Sequence, residues 1–314
     1  MSARRKYVHT PAGLHRLLAG IAILASRKNP SQPMQPTITR LFPPSDKPYR
    51  VKGLYLEHGL HRHGRPGHPF VYSNFITSLD GRIAVASAGR TSHEVPAAIA
   101  NERDWRLYQE LAGQADLLIT SGRFLRQTVA GEAQAHLPVG REAAFADIIE
   151  WRSAQGLSEQ PDIAIMSGSL DIPVDSLEHY RNRRLLVITG NQAPDDRARQ
   201  LTELGIDVIQ AGNGGRVDGR KMIEALDQRG YRSIYSVAGP GVFHTLVAAN
   251  VLDRLYLTMT HQLLSGNAYN TFIEGDGFSP AQGMQLVSLY HDAAAPAGAS
   301  QWFSVFEPLQ DQSA

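Results

Sequence analysis

The 314-residue sequence contains no cysteine. That absence excludes disulfide scaffolds, thiolate zinc sites, iron–sulfur clusters and thiol nucleophiles together, and it leaves the cytoplasm as the default location. No stretch stays apolar for the ~20 residues a membrane-spanning helix requires, so no membrane partner is expected. Acidic residues are missing from positions 1–33, which carry six bases: Arg4, Arg5, Lys6, Arg16, Arg27 and Lys28. From residue 34 onward 25 bases stand against 30 acids. A net negative body lacks the concentrated basic field that nucleic-acid binding needs.

The apolar run Leu14–Ala25 follows basic residues as the core of a signal peptide would. His15 and Arg16 interrupt it, however, and residues 26–36 make a poor cleavage region. The composition predicts a disordered or weakly helical extension over residues 1–40, with Met34 as an alternative start, followed by a single domain over 41–314.

From Pro69 onward short β-branched runs alternate with amphipathic stretches, the pattern of a layered α/β domain with a mixed, mostly parallel sheet. Strands are predicted at 70–77, 116–120, 163–166, 185–189, 207–209, 233–237, 254–261 and 302–306. Helices are predicted at 96–112, 142–155, 194–204, 219–229 and 242–250. Pro96 and Pro194 suit first-turn positions, where a missing N–H costs nothing. Asp195 and Asp196 suit the positive end of a helix dipole.

Three strand ends carry candidate chemistry, because backbone N–H groups at a strand-to-helix turn cradle phosphates and glycine lets the ligand approach. The first is Ala238-Gly239-Pro240-Gly241, leading into Val242 and Phe243. His244 stands where a dinucleotide fingerprint would have its third glycine, so the turn is either a phosphate cradle of different geometry or a tight βα connection. The second is Ser121-Gly122-Arg123, which offers a hydroxyl, free N–H groups and a guanidinium able to grip a 2′-phosphate. The third is Ser78-Leu79-Asp80-Gly81-Arg82, where Asp-Gly signals a turn.

The segment SNFITSLDGRIA (residues 73–84) resembles the signature of the C-terminal reductase domain of the bifunctional riboflavin-biosynthesis deaminase/reductases. Downstream, ITSGRF and VAGPGVFHTLVAANVLDRLYLTMTHQLLSG resemble that family's cofactor loop, its Gly-Gly-Pro turn and its final strands, so the likeness spans about residues 69–306. It implies a dihydrofolate-reductase-like three-layer fold, NADPH as cofactor, and reduction of a phosphoribosylamino-pyrimidine. It also implies a homodimer, which apolar edges on the late strands 254–261 and 302–306 would favour.

Carried over by position, Ile76, Ser78, His93, Arg123, Thr189 and the turn from Gly239 to Thr245 line the NADPH site, with Ser121 and Gly122 beside Arg123. Asn74, Thr91, Asp80 and Val237 lie toward the substrate. The family has Lys where Asn74 stands, Trp at His93, Thr at Arg123 and Glu at Val237, so the cofactor half matches better than the substrate half. This admits two further readings: a reductase of the same fold acting on a pterin or an imine, and a non-catalytic NADP-binding protein. A preceding zinc deaminase domain would need Cys ligands that this chain lacks. His93, in a polar loop, and ordered water are the candidate proton sources. Asp80 is either a second catalytic group or a turn residue accepting backbone N–H bonds.

The loop with His58, His61, His63 and His68 beside Arg62 and Arg65 falls outside the resemblance. Four imidazoles can bind a metal, or a basic loop can fold over a phosphorylated substrate. Their spacing meets no metal template, so no metal is expected and a solvated loop is the simplest reading.

Overall fold

The computed structural model describes residues 37–86, 93–132, 137–295 and 298–309. In chain order its strands are β1 (Thr37–Phe42), β2 (Pro48–Arg50), β3 (Phe70–Thr77), β4 (Ala84–Ala86), β5 (His93–Glu94), β6 (Leu117–Ser121), β7 (Asp162–Met166), β8 (Leu185–Thr189), β9 (Asp207–Gln210), β10 (Ser233–Ser236), β11 (Arg254–Thr260), β12 (Tyr269–Asn270), β13 (Met284–Asp292) and β14 (Gln301–Pro308). The helices are α1 (Glu102–Ala112), α2 (Gly122–Val129), α3 (Ala146–Ala154), α4 (Val174–Leu177), α5 (Asp195–Glu203), α6 (Gly219–Asp227) and α7 (Pro240–Ala248).

Eleven strands form one sheet in the order β2-β1-β13-β14-β11-β3-β10-β6-β7-β8-β9, and β12, β4 and β5 form a small second one. From β11 to β9 every neighbour is parallel, and the β1, β2, β13 and β14 side is antiparallel. Side chains of a strand alternate between faces, and here both faces are buried. Tyr72, Leu118, Ile163, Ile165, Val187, Tyr235 and Tyr256 enter one core with Leu107 and Leu111 of α1 and Ile148 of α3. Val71, Leu117, Ile119, Leu186, Ile188, Ile234 and Leu255 enter the other with Met222 and Leu226 of α6 and Phe243 and Leu246 of α7. The result is the three-layer, mostly parallel α/β arrangement expected from the sequence.

Several elements depart from expectation. Helix α1 begins at Glu102 rather than near Pro96, because the Asn101 side chain accepts a bond from the Asp104 amide and caps it. Residues 122–129 form a helix in place of the expected loop, capped by Ser121. Strands β1 and β13 were not anticipated; β13 is half-buried along most of its length and has no β-branched run. Residues 37–40, assigned to the extension, lie in β1. The predicted apolar edges are also corrected, since β11 and β14 are interior strands and the sheet edges are β2 and β9. The remainder of the extension, including Met34 and the helix expected around 12–25, lies outside the described residues. No helix among the described residues is long and apolar enough to cross a membrane.

Candidate active site

Because β3, β10, β6, β7, β8 and β9 run parallel, their C-terminal ends share one edge of the sheet. The crevice beyond that edge is where ligands bind in such sheets. Five neighbouring strands leave it through glycine: Gly122 after β6, Gly168 after β7, Gly190 after β8, Gly212 after β9, and Gly239 and Gly241 after β10. Three of these are close-approach positions. A Cβ would stand 2.5 Å from the Gly215 carbonyl oxygen at Gly168, 2.2 Å from that of Gly214 at Gly190, and 2.0 Å from that of Arg216 at Gly212. The backbone of residues 214–216 therefore lies directly against the strand exits.

Gly239 and Gly241 differ. Neither has positive φ, and a Cβ at either would meet nothing within 4 Å. The fold does not require glycine there, yet a side chain would fill the mouth of the crevice. Helix α7 starts at this point with Pro240 in its first turn and no side-chain cap, so the positive end of its dipole is presented to whatever occupies the space.

A cleft of about 400 Å³ runs from this helix end, lined by Gly241, Val242 and Thr245 of α7, Ser167 and Gly168, Arg216, and Glu274 and Asp276 opposite. His244 builds its far wall: Nε2 meets the Asp276 carbonyl oxygen at 2.8 Å and the ring stacks on Phe278 at 5.0 Å. At the same sheet edge the hydroxyls of Thr120, Thr189 and Ser236 are buried without a hydrogen-bond partner. A dinucleotide fits these features: open glycines, an uncapped helix start and unsatisfied hydroxyls at one edge.

The sequence-derived residues separate here. Ser78, Val237 to Phe243, and Ser121 with Gly122 come together at the adjoining ends of β3, β10 and β6, and Thr189 stands two strands further along. The Ser121 hydroxyl is already engaged by the Phe124 amide. Arg123 is exposed on the first turn of α2 and does not line the cleft, whereas Arg216 does. Thr91 lies outside the described residues.

Asp80 is locked into a turn. Its carboxylate accepts from the Ser78 hydroxyl at 2.5 Å, from the Ser265 amide at 2.8 Å, from the Leu264 amide, and from Arg82 at 2.5 Å. Led by the Ser78 bond, these donors hold its pKa down at about 2, which makes it an anion that clamps Leu264 and Ser265 rather than a proton donor near neutrality. Gly81, at φ +81°, closes the turn.

His93 sits on β5 with Nδ1 2.6 Å from the Asn270 side-chain oxygen, and the Asn270 amide donates to Glu274 at 2.7 Å. It reaches the cleft wall through this chain.

Asn74 accepts from the Tyr235 hydroxyl. The His-rich segment folds into two short 3-10 turns at the N-terminal end of β3, opposite the crevice. His58 Nδ1 lies 2.7 Å from the Tyr256 hydroxyl, His61 packs edge-on against Trp151, and His63 packs against Phe70. Its first half, through His61, is therefore packed structure, whereas Arg62, His63 and the stretch from Arg65 to His68 are exposed as a solvated loop would be, and the segment does not cover the site. No cluster of three or more His, Asp or Glu among the described residues is placed to hold a metal.

Sequence reasoning missed Ser167, Gly168, Gly190, Gly212 and Arg216. The available signal was the recurrence of glycine within two residues of the ends of β6, β7, β8 and β9.

Residues 69–295 match the family described as the RibD C-terminal domain. The chain belongs to that family. A curated relative, the 2,5-diamino-6-ribosylamino-4(3H)-pyrimidinone 5′-phosphate reductase of Aquifex aeolicus, is 22% identical over 211 residues, covering 67% of this chain and 84% of the relative. Among solved structures, a pyrimidine reductase-like protein from Corynebacterium diphtheriae superposes with a TM-score of 0.59 at 20% identity, covering 77% of this chain and 93% of that one. A riboflavin biosynthesis reductase of Saccharomyces cerevisiae does so with 0.52 at 15% identity over 82% and 99%. Such RibD-type likenesses confirm the fold, and the family match explains why the SLDGRIA turn, the Ser-Gly-Arg exit and the Gly-Pro-Gly turn occur together in one chain.

Proposed function

We propose that this protein is an NADPH-dependent reductase acting on a phosphoribosylamino-pyrimidine. Family membership supports the reaction class, and one structural observation supports the cofactor: Gly239 and Gly241 leave open space before the uncapped start of α7, and a cleft of about 400 Å³ opens from Gly241. When bound, NADPH supplies the hydride. The protein's part is to hold the diphosphate at the N–H groups of α7, seat the adenosine end between Ser167 and Arg216, and present the reducible carbon beside Ile76 at the end of β3.

The substrate side supports a narrower statement. Asn74 is committed to Tyr235 and Val237 is uncharged, so the substrate group met by Lys and Glu elsewhere in the family finds no charge at these two positions. A related pterin or imine substrate is the alternative this favours.

A homodimer and a cytoplasmic location belong to the same proposal. Leu41, Phe42 and Trp302 expose apolar surface on the antiparallel half of the sheet, which supports association.

Incubation with NADPH and 5-amino-6-(5-phosphoribosylamino)uracil, followed by loss of nicotinamide absorbance, tests the reading. Turnover is the expected result. Turnover confined to other imines would replace the substrate, and tight binding without turnover on any substrate would replace the enzyme by a binding protein.

A further inference from the structure

Glu274 belongs to the wall of the cleft opposite the start of α7, on the segment that follows β12. One side of that segment is pinned to α7. His244 Nε2 donates to the Asp276 carbonyl oxygen, and a Cβ on Gly275 would stand 2.4 Å from the His244 ring, so residues 275 and 276 lie flat against the helix.

The Glu274 side chain is steered from the other side, by the small sheet. Asn270 is on β12 and His93 on β5, the two strands that flank β4. The Asn270 amide donates to Glu274 Oε1 at 2.7 Å, and the Asn270 oxygen stands 2.6 Å from His93 Nδ1. A carboxylate only accepts, so the amide nitrogen must face Glu274 and the amide oxygen must face His93. His93 therefore carries a proton on Nδ1 and donates it. Flipping the amide would set its oxygen against the carboxylate, so the chain has one satisfied arrangement. It leaves Glu274 Oε2 for a ligand, since among the described residues that oxygen accepts no hydrogen bond. Asp276 is turned instead toward Arg216, at 4.0 Å.

The cleft thus offers two chemistries. Arg216 and the open start of α7 suit phosphate, whereas the Glu274 carboxylate repels phosphate and accepts from hydroxyls. In NADPH the adenosine ribose carries the 2′-phosphate. The ribose on the nicotinamide side keeps both hydroxyls, the kind of donor pair that an acidic side chain holds in dinucleotide sites.

We propose that Glu274 binds the hydroxyls of the nicotinamide-side ribose, and that Asn270 and His93 are positioning residues that aim its carboxylate. This inference rests on the NADPH reading above. It makes His93 a hydrogen-bond donor within the cleft wall.

The test titrates wild type and Glu274→Gln with NADPH, with 2′-phospho-ADP-ribose, which keeps the second ribose without the nicotinamide, and with 2′,5′-ADP, which lacks that ribose. Thermal melting reports whether the fold survives. Taking a negative charge off the wall would by itself favour these polyanions, so a loss of affinity reports a lost hydrogen bond. The expected result is that NADPH and 2′-phospho-ADP-ribose bind about tenfold or more weakly, and that 2′,5′-ADP is not weakened. Asn270→Asp keeps an acceptor for His93 but sets an oxygen against Glu274. It should weaken 2′-phospho-ADP-ribose in the wild-type background and add little in Glu274→Gln.

Unchanged or raised affinity for NADPH and 2′-phospho-ADP-ribose in Glu274→Gln overturns the assignment while the cofactor reading stands. So does an equal loss for 2′,5′-ADP, or a loss confined to NADPH, which would transfer the contact to the nicotinamide amide. Wild-type affinity in Asn270→Asp removes the positioning role. A wild-type protein that binds neither NADPH nor 2′-phospho-ADP-ribose overturns both readings.

Discussion

Asn74 on β3 accepts a hydrogen bond from the hydroxyl of Tyr235, which stands on the adjacent strand β10. The pair makes this position part of the wall between sheet and helix, with Tyr235 stacked on Tyr72 at 5.0 Å. Removing one partner leaves the other buried. Asn74→Ala should cost about 1–3 kcal/mol of stability by stranding the phenol, read as a fall in the denaturation midpoint. An unchanged midpoint would show that the hydroxyl does not depend on Asn74.

The glycines of the sheet edge should divide into two groups. Gly241→Val places a side chain in open space, so the protein should melt nearly as wild type while NADPH binding is lost. Gly190→Val drives a side chain into the Gly214 carbonyl, 2.2 Å from its first carbon, so stability should fall first. Melting and NADPH titration on the same two variants check this, and intact binding in Gly241→Val would move the cofactor elsewhere.

Cofactor preference should follow the cleft. Arg216 lines it and Arg123 does not. A charge-assisted phosphate contact is worth about 1.5–3 kcal/mol. Arg216→Ala should therefore weaken NADPH by about tenfold or more and leave NADH nearly unaffected. Equal losses for the two cofactors would separate Arg216 from the 2′-phosphate, and the selective effect appearing in Arg123→Ala would restore the sequence-based assignment.

His58 should make the protein acid-sensitive. Burial, assisted by Arg254, lowers its pKa from 6.5 to about 4. Between these values the unfolded chain holds the proton and the folded protein does not, so this contribution to stability is complete above pH 6.5 and is lost as pH falls toward 4. The full effect is about 3 kcal/mol. His58→Phe keeps an aromatic ring in the core without the titration. Melting of both proteins at pH 7.5 and 5 should show the variant gaining on wild type at the lower pH, and a constant difference would mean that His58 titrates as an exposed imidazole.

Much of this architecture was readable from local sequence. The strands 70–77, 185–189 and 254–261 are rich in β-branched, aromatic and other apolar residues because both faces of the parallel sheet are covered. The Ser78-to-Arg82 turn was likewise legible, since it needs glycine at its positive-φ position, and the Gly239-to-Gly241 turn was legible from its motif although the fold itself does not require those glycines. What the sequence did not reveal was β13, half-exposed and without a β-branched run, and helix α2, whose cap Ser121 read equally well as a ligand hydroxyl.

Sequence determined the family motifs and the local turns that follow β3, β6 and β10, because these are set by contacts within a few residues. Only the tertiary structure decided that Arg216 rather than Arg123 lines the cleft, that Asp80 is bound by residues 264 and 265, and that Tyr235 meets Asn74. Each of these pairings joins segments that the strand order brings together. That order comes from how the crossovers pack both faces of the sheet, a global balance of buried surface that no short segment encodes.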